Sequence, residues 1–412
     1  MQREVTGRMH HPIKLLLTML LILCALWLGL SRQFYIESTG AFFSLALASL
    51  VIIHLRIRPG WVDVVLVVLI AAFLAIVDFL ALHYPPTILG CFSILGLSSL
   101  VIIAARTIWD RGRKLLLCAW VPAVLFILSD RYFAHALHEW TAKAHPKTLD
   151  LYLLSFDGSL GVQLAFAVGQ YCARLLWLHY SALFAYVGLA IPISLVYAGR
   201  LVRFRGGAFP SMLAFLIAGP VGFLFYNLFP ACGPLYVFGH AFPFHPPSIA
   251  ILPRLALEPA AVPGWRNAMP SLHLAWTLLA WWYSKGLSWI ERLIAFAFLA
   301  LNALATLGTG EHWFVDLIVA FPYALMIQAI CAYHVPWKEP ARKTALFLGL
   351  GASLGWMATL RYGTELFWTS PIVPWALSAA TIALASLRQA KLDNRILEEA
   401  QPIVRKALES AP

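Results

Sequence analysis

Residues 61–83 read WVDVVLVVLIAAFLAIVDFLALH. As a helix this stretch rises about 34 Å at ~1.5 Å per residue, enough to cross a ~30 Å hydrocarbon core. It is apolar on every side, which is how a helix reads when lipid or other helices surround it. One acid, Asp78, lies inside the run, where an ionisable group is costly; near the outer third it can pair or reach water.

Working outward, further runs of comparable character lie near 15–30, 40–55, 86–105, 114–130, 178–199, 208–229, 270–284, 289–308, 313–334, 343–361 and 371–387. About twelve spans are therefore expected, in an all-α integral membrane protein. Composition agrees. Hydrophobic residues make up 61% and charged residues 12%, against about 25% charge in ordinary globular domains. A soluble fold could not cover itself with so little polar surface, and disorder requires the opposite composition. The basic segment MQREVTGRMHHPIK before Leu15 resembles a signal peptide, but the apolar run is long and lacks a small-residue cleavage site, so a retained span is expected. Cys24, Cys91, Cys118 and Cys331 are isolated in apolar runs. Cys172 and Cys232 fall in loops where a bridge is conceivable but inert packing is the plainer reading.

The charges test the topology. The net charge is +11, carried in short basic runs between apolar ones, which argues against nucleic acid. Arg56 and Arg58; Arg106, Arg111, Arg113 and Lys114; Arg200, Arg203 and Arg205; Lys285 and Arg292; Lys338, Arg342 and Lys343; and the tail from Arg388 to Lys406 fall in alternate gaps. Cytoplasmic loops collect Lys and Arg in this way. Both termini are then cytoplasmic, the basic loops face anionic lipid, and loops 131–177 and 230–269 lie on the other side, in periplasm or lumen. Three regions follow: N-terminal spans 1–113, a core 114–335, and two last spans with a basic tail, 336–412.

Two segments combine a span boundary with reactive side chains. Arg266-Asn-Ala-Met-Pro-Ser-Leu-His273 precedes a helix, with Pro270 suited to the first turn. Free N–H groups at a helix start attract anions, and Ser271 and Arg266 add donors for a phosphate. Gly308-Thr-Gly-Glu-His-Trp-Phe-Val-Asp316 places His312 and Asp316 four residues apart, on one helical face. A carboxylate on one ring nitrogen makes the other a better nucleophile. His273 and His312 are 39 residues apart, about 58 Å of helix, so the chain crosses and returns and the two rings meet. His240, His245, His273 and His312 lack zinc-ligand spacing, and no metal or cofactor is expected.

MPSLH followed by GEHWFVD resembles the second and third motifs of the phosphatidic acid phosphatase type 2 superfamily. SFDGSLG (155–161) and PACGPLY (230–236) resemble segments of its inositolphosphotransferase branch, which includes inositol phosphorylceramide synthases. The likeness covers roughly 150–335. It implies a six-helix bundle with its site at the outer face. It also implies that His312 takes up phosphorus as a phosphohistidine, that Asp316 supports it, and that His273 serves as acid and then base. The phosphatases carry PSGH where Leu272 stands here, an Arg where Thr306 stands, and a first motif that has no good match. Arg266 and Arg254 are the local substitute cations, with Arg131, Lys147, Arg174 and Arg361 in reserve. Fewer cations favour a phosphodiester, which carries less charge than a monoester.

The expected activity is phosphoester transfer on a membrane phospholipid or lipid phosphate at the outer leaflet, most naturally of an inositolphosphate-like headgroup to an alcohol. The alternative is a lipid phosphate phosphatase with water as acceptor. A polyprenyl-phosphate glycosyltransferase would need a carboxylate base in the first outer loop, and loop 31–38 is too short to house that site. A transporter would show interrupted helices in two matching halves. Asp157 is expected to cap the helix that follows it, and Asn227 and Asn302 to hydrogen-bond between helices.

Overall fold

The structure, a computed structural model, describes residues 11–109, 124–125, 134–204 and 208–409. The expected span 114–130 (124–125 apart), Arg111, Arg113, Cys118, Arg131 and Arg205 lie outside the described residues, as do the side chains of Arg405 and Lys406. The chain divides into two compact units, Met1–Ile127 and Leu128–Pro412.

The first unit is built from α1 (His11–Gly29), α2 (Arg32–Ser38), α3 (Ala41–Arg56), α4 (Trp61–Leu80) and α5 (Ile88–Trp109). The packing centres on α5, which touches α1, α3 and α4. Small residues allow its close approach to α3. A Cβ on Gly96 would stand 2.2 Å from the Leu47 carbonyl oxygen, inside any permitted contact. Ser31 caps α2 by accepting from Phe34 N at 3.0 Å, and the Asp63 carboxylate accepts from Gly60 N at 3.1 Å at the start of α4. Each bond satisfies a backbone group that a helix end leaves open.

The second unit holds α6 (His135–Ala144), α7 (Asp150–Ser159), α8 (Leu164–Arg174), α9 (Leu176–Val187), α10 (Ala190–Phe204), α11 (Phe209–Leu228), α12 (Pro234–Phe238), α13 (Leu272–Tyr283), α14 (Trp289–Gly308), α15 (Phe314–Cys331), α16 (Pro340–Tyr362) and α17 (Ile372–Glu409). The centre is α15, which packs against α7, α11, α13, α16 and α17. With no hydrophobic force between helices in lipid, close fit and hydrogen bonds must hold them. Asn302 Nδ2 donates from α14 to the Ala185 carbonyl of α9 at 2.8 Å. Trp276 Nε1 donates from α13 to the Phe215 carbonyl of α11 at 2.9 Å, and Tyr323 donates from α15 to the Ala218 carbonyl of α11. A Cβ on Gly349 would meet the α15 backbone at 2.6 Å.

The expectation of twelve spans is met only in part. Among the described residues six helices are long and apolar enough to cross a membrane, or up to nine if each bent pair counts once. Three apolar runs do not stay straight. The pairs α2–α3, α7–α8 and α9–α10 bend by 93°, 84° and 54°. Gly161 sits in the α7–α8 break at φ +78°, where a side chain would be strained. The predicted crossing at 270–284 is the twelve-residue α13, only about 18 Å long. The run at 371–387 opens a helix that continues unbroken into the tail. Hydropathy reports how apolar a segment is; it does not report whether the segment bends.

In this unit the basic connections gather at one end. Arg200 donates to the Tyr283 carbonyl at 3.1 Å, Lys285 pairs with Asp393 at 3.3 Å and Arg395 with Glu339 at 3.3 Å. That end lies at the C-termini of α13 and α15, and both histidines lie at the N-terminal ends of the same helices. Cys172 and Cys232 are both free buried thiols, so the conceivable bridge between them is not formed.

Replacing Gly96 by Val should force α3 and α5 apart. Overpacking of this kind costs about 1–3 kcal/mol, so thermal unfolding in detergent should shift down by several degrees. An unchanged midpoint would mean that the contact is not close.

Candidate active site

Four chain segments converge on the start of α15. Gly310, at φ +75°, turns the chain ahead of His312, and the loop at 230–236 lies against that turn, Leu235 N donating to the Gly310 carbonyl at 2.9 Å. Asp150 fastens the same loop from below. Its carboxylate accepts from Cys232 N, from Gly233 N at 2.9 Å and from Trp313 Nε1 at 2.8 Å. Gly233 stands at φ +131°, and a Cβ there would reach 2.4 Å from the Glu311 carbonyl oxygen. Only glycine fits.

Asp157 also serves this corner. It was expected to cap the helix following it in sequence; instead Oδ2 accepts from Phe314 N at 2.9 Å, capping α15 far along the chain. Asp316 supplies a second cap within the same turn, Oδ2 accepting from Trp313 N at 2.8 Å. The two carboxylates are buried at the positive end of the helix dipole, where negative charge is favoured.

His312 is 2% exposed. Its Nδ1 lies 2.8 Å from the Ala268 carbonyl oxygen and 3.5 Å from Asp316 Oδ2. A carbonyl can only accept, so Nδ1 carries the proton and Nε2 keeps its lone pair. Asp316 was expected to make that bond itself. At 3.5 Å it is too far for a good hydrogen bond, and its Oδ2 is already used by the cap. The carboxylate stands beside the ring and secures the start of the helix that follows it. Asp316 O also accepts from Ser271 N at 3.2 Å, and Ala268 N donates to the Ala231 carbonyl at 3.0 Å. The second-motif and third-motif segments are thereby stitched together.

Ser271 is the N-cap of α13, its hydroxyl accepting from Leu274 N at 3.4 Å. Pro270 precedes the cap instead of entering the first turn. His273 lies in that turn, half-buried, stacked on Tyr186 with ring centroids 3.8 Å apart and planes 12° from parallel. The segments that carry His273 and His312 meet through Ser271 N on the Asp316 carbonyl and His312 Nδ1 on the Ala268 carbonyl.

The arginines fall elsewhere. Arg266 is buried, donating from Nε to the His145 carbonyl at 2.8 Å, from Nη2 to the Pro146 carbonyl at 3.1 Å and from Nη1 to the Gly264 carbonyl. Its guanidinium braces the loops instead of reaching for the cleft. Arg254 is exposed at the end of the 3₁₀ segment Ile249–Arg254, and no hydrogen bond or ion pair among the described residues ties it to either histidine. Lys147, Arg174 and Arg361 are exposed as well.

The sequence reading missed Glu311, Tyr236 and Tyr186. The Tyr236 hydroxyl donates to Glu311 at 3.1 Å. Burial, and then the Glu311 carboxylate, push the Tyr236 phenol above its ordinary value, so it stays a donor. Burial and the nearby Asp150 push the Cys232 thiol up to about 12, which Arg266 only partly offsets, so this cysteine is no nucleophile. Glu311 stood in a quoted motif with no role. Tyr186 gave no signal, since its partner is 87 residues away. Among the described residues no group of three or more His, Cys, Asp or Glu side chains is placed to hold a metal ion.

Residues 151–330 match the family model of the PAP2 superfamily. No curated protein matches the chain, and no solved structure does. The matched segment runs from α7 to α15 and contains both histidines, Asp157 and Asp316. The match supports a phosphatase-type or phosphotransferase-type enzyme acting on lipid-type substrates.

Asp316→Asn and Asp316→Ala should separate the two duties of this carboxylate. The amide oxygen of Asn can still cap Trp313 N, so the unfolding midpoint should hold while turnover falls by about 10²–10⁴-fold. Ala should lose the cap too, at about 1–2 kcal/mol. Equal loss of stability in both variants would contradict this division.

Proposed function

We propose that this chain carries a phosphoester group from a membrane lipid on His312 and hands it to an alcohol. It would be a phospho-headgroup transferase of the inositolphosphate-like kind. The observation that carries the reading is the bond between His312 Nδ1 and the Ala268 carbonyl, which leaves Nε2 as the lone-pair nitrogen of the ring, with the His273 segment tied to the same corner through Ser271 N.

In the first step the Nε2 lone pair attacks phosphorus and the bond to the leaving oxygen breaks, His273 supplying the proton that oxygen needs. His312 becomes an N-phosphorylated, positively charged ring, and the Asp316 carboxylate 3.5 Å from Nδ1 stabilises that charge. In the second step His273 takes a proton from the incoming hydroxyl, whose oxygen attacks phosphorus and releases His312 unchanged. Ser271 and the open N–H groups of the α13 N-terminus would face the phosphate oxygens.

Donor choice follows from charge. The polar groups assembled around the two histidines, Glu311, Tyr236, Tyr186 and Asp316, are acidic or neutral. A phosphate monoester dianion needs several cations, whereas a diester monoanion needs fewer. This favours a phospholipid donor over a lipid monophosphate, although hydrolysis would run through the same phosphoenzyme with water second. The site would lie on the face opposite the basic connections, periplasmic or lumenal, with both termini cytoplasmic.

The test incubates purified protein with a fluorescent phosphoinositide, with and without long-chain alcohol acceptors, and separates the products. Transfer product should exceed free headgroup phosphate, and His312→Ala should lower both by at least about 10³-fold at unchanged expression. Wild-type rates in His312→Ala would refute the assignment. Inorganic phosphate released from lipid monophosphates, with no transfer product, would convert the reading to a phosphatase.

A further inference from the structure

At one end of the N-terminal unit the last turns of α3 and α5 meet the first turn of α4. Between them lies a cavity of about 260 Å³, lined by His54, Arg58, Gly60, Asp63 and Arg106 among others. Water takes up about 30 Å³ per molecule in the liquid, so the space holds a phosphate group with several waters to spare. Two guanidinium groups and an imidazole face a single carboxylate.

That carboxylate is committed on both oxygens. Asp63 Oδ1 accepts from Arg106 Nε at 2.8 Å and lies 2.7 Å from Arg106 Nη2, and Oδ2 accepts from Gly60 N at 3.1 Å. Asp63 thus fixes the Arg106 fork and fastens the turn at 57–60. The Arg106 side chain is still 50% exposed, which leaves donors for a ligand. A planar fork held in place is suited to phosphate oxygens.

Arg58 adds a second, independent sign. It has φ +58°, a left-handed conformation that strains a residue with a side chain. Glycine would sit there without cost. Strain kept at a cavity wall is a pointer to function, and what the strained residue brings is an exposed guanidinium. Lys14, over the Trp109 ring at 6.0 Å, and Arg56 stand at the same end of the unit.

We infer that this cavity binds a phosphate anion, presented by the headgroup of an anionic lipid in the leaflet that meets the basic end of the unit. The inference does not depend on the reaction assigned to His312. It gives the N-terminal unit, which lies outside the family match, a ligand of its own.

The full-length protein would be studied by native mass spectrometry from detergent, with phosphatidylglycerol, phosphatidylcholine and inorganic phosphate as probes. Phosphatidylglycerol should be retained in preference to phosphatidylcholine. Arg58→Gly should cut that retention at least fivefold while the unfolding midpoint holds or rises, because the strain is relieved. The paired change Asp63→Asn with Arg106→Gln, which leaves no lone buried charge, should do the same, and His312→Ala should not. Phosphate that displaces the lipid supports the headgroup as source; phosphate that binds in the wild type alone, with no lipid preference, assigns the cavity to a soluble anion. If both cavity variants hold phosphatidylglycerol and phosphate as the wild type does, the inference is wrong.

Discussion

One hydrogen bond, from His312 Nδ1 to the carbonyl of Ala268, sets the chemistry of the second unit. It joins segments 44 residues apart in sequence and settles the tautomer of the ring. Almost every other polar contact nearby serves to keep these two backbones in register. Ala268 is tied to Ala231, Ser271 to Asp316, and Leu235 to Gly310. In a low-dielectric interior backbone pairing of this kind is held tightly and makes a stiff frame, although Asp157 Oδ1, Asp316 Oδ1 and Asn267 Oδ1 are buried there without a hydrogen-bond partner among the described residues. A stiff frame is what a nucleophile needs if its lone pair is to meet phosphorus without reorganisation.

The three aspartates show how buried acids are accommodated. Asp150 and Asp157 take backbone or indole N–H groups from the histidine loop, and Asp316 takes Trp313 N while standing beside the imidazole. Each is placed by a helix start or a glycine turn that supplies donors. Asp316 does not act as a simple relay partner. Its charge is available to an imidazolium when one forms, and its hydrogen bonds hold the helix that carries the ring.

Much of this was legible in the sequence. The His312–Asp316 spacing, the boundary position of MPSLH and the there-and-back length between the histidines all follow from helical geometry, and the structure brings those segments together. What could not be read is what depends on bending and on distant pairing. Hydropathy could not show that the runs at 150–174 and 176–204 break sharply, nor that 270–284 yields so short a helix. Arg266 looked like a phosphate ligand because it is a cation beside a helix start; the His145 and Pro146 carbonyls of another loop and the Gly264 carbonyl of its own loop claim it instead. Asp157 caps a helix more than 150 residues onward, and local pattern carries no trace of such a partner.

The central claim is that Nε2 of His312 is the atom that takes up phosphorus. The direct measurement quenches the enzyme during turnover with a labelled donor, digests it under alkaline conditions and determines which ring nitrogen bears the phosphate. Label confined to His312 and bonded at Nε2 is the expected result. Phosphate at Nδ1, which would require the bond to Ala268 to be given up, or label on another residue, would contradict it.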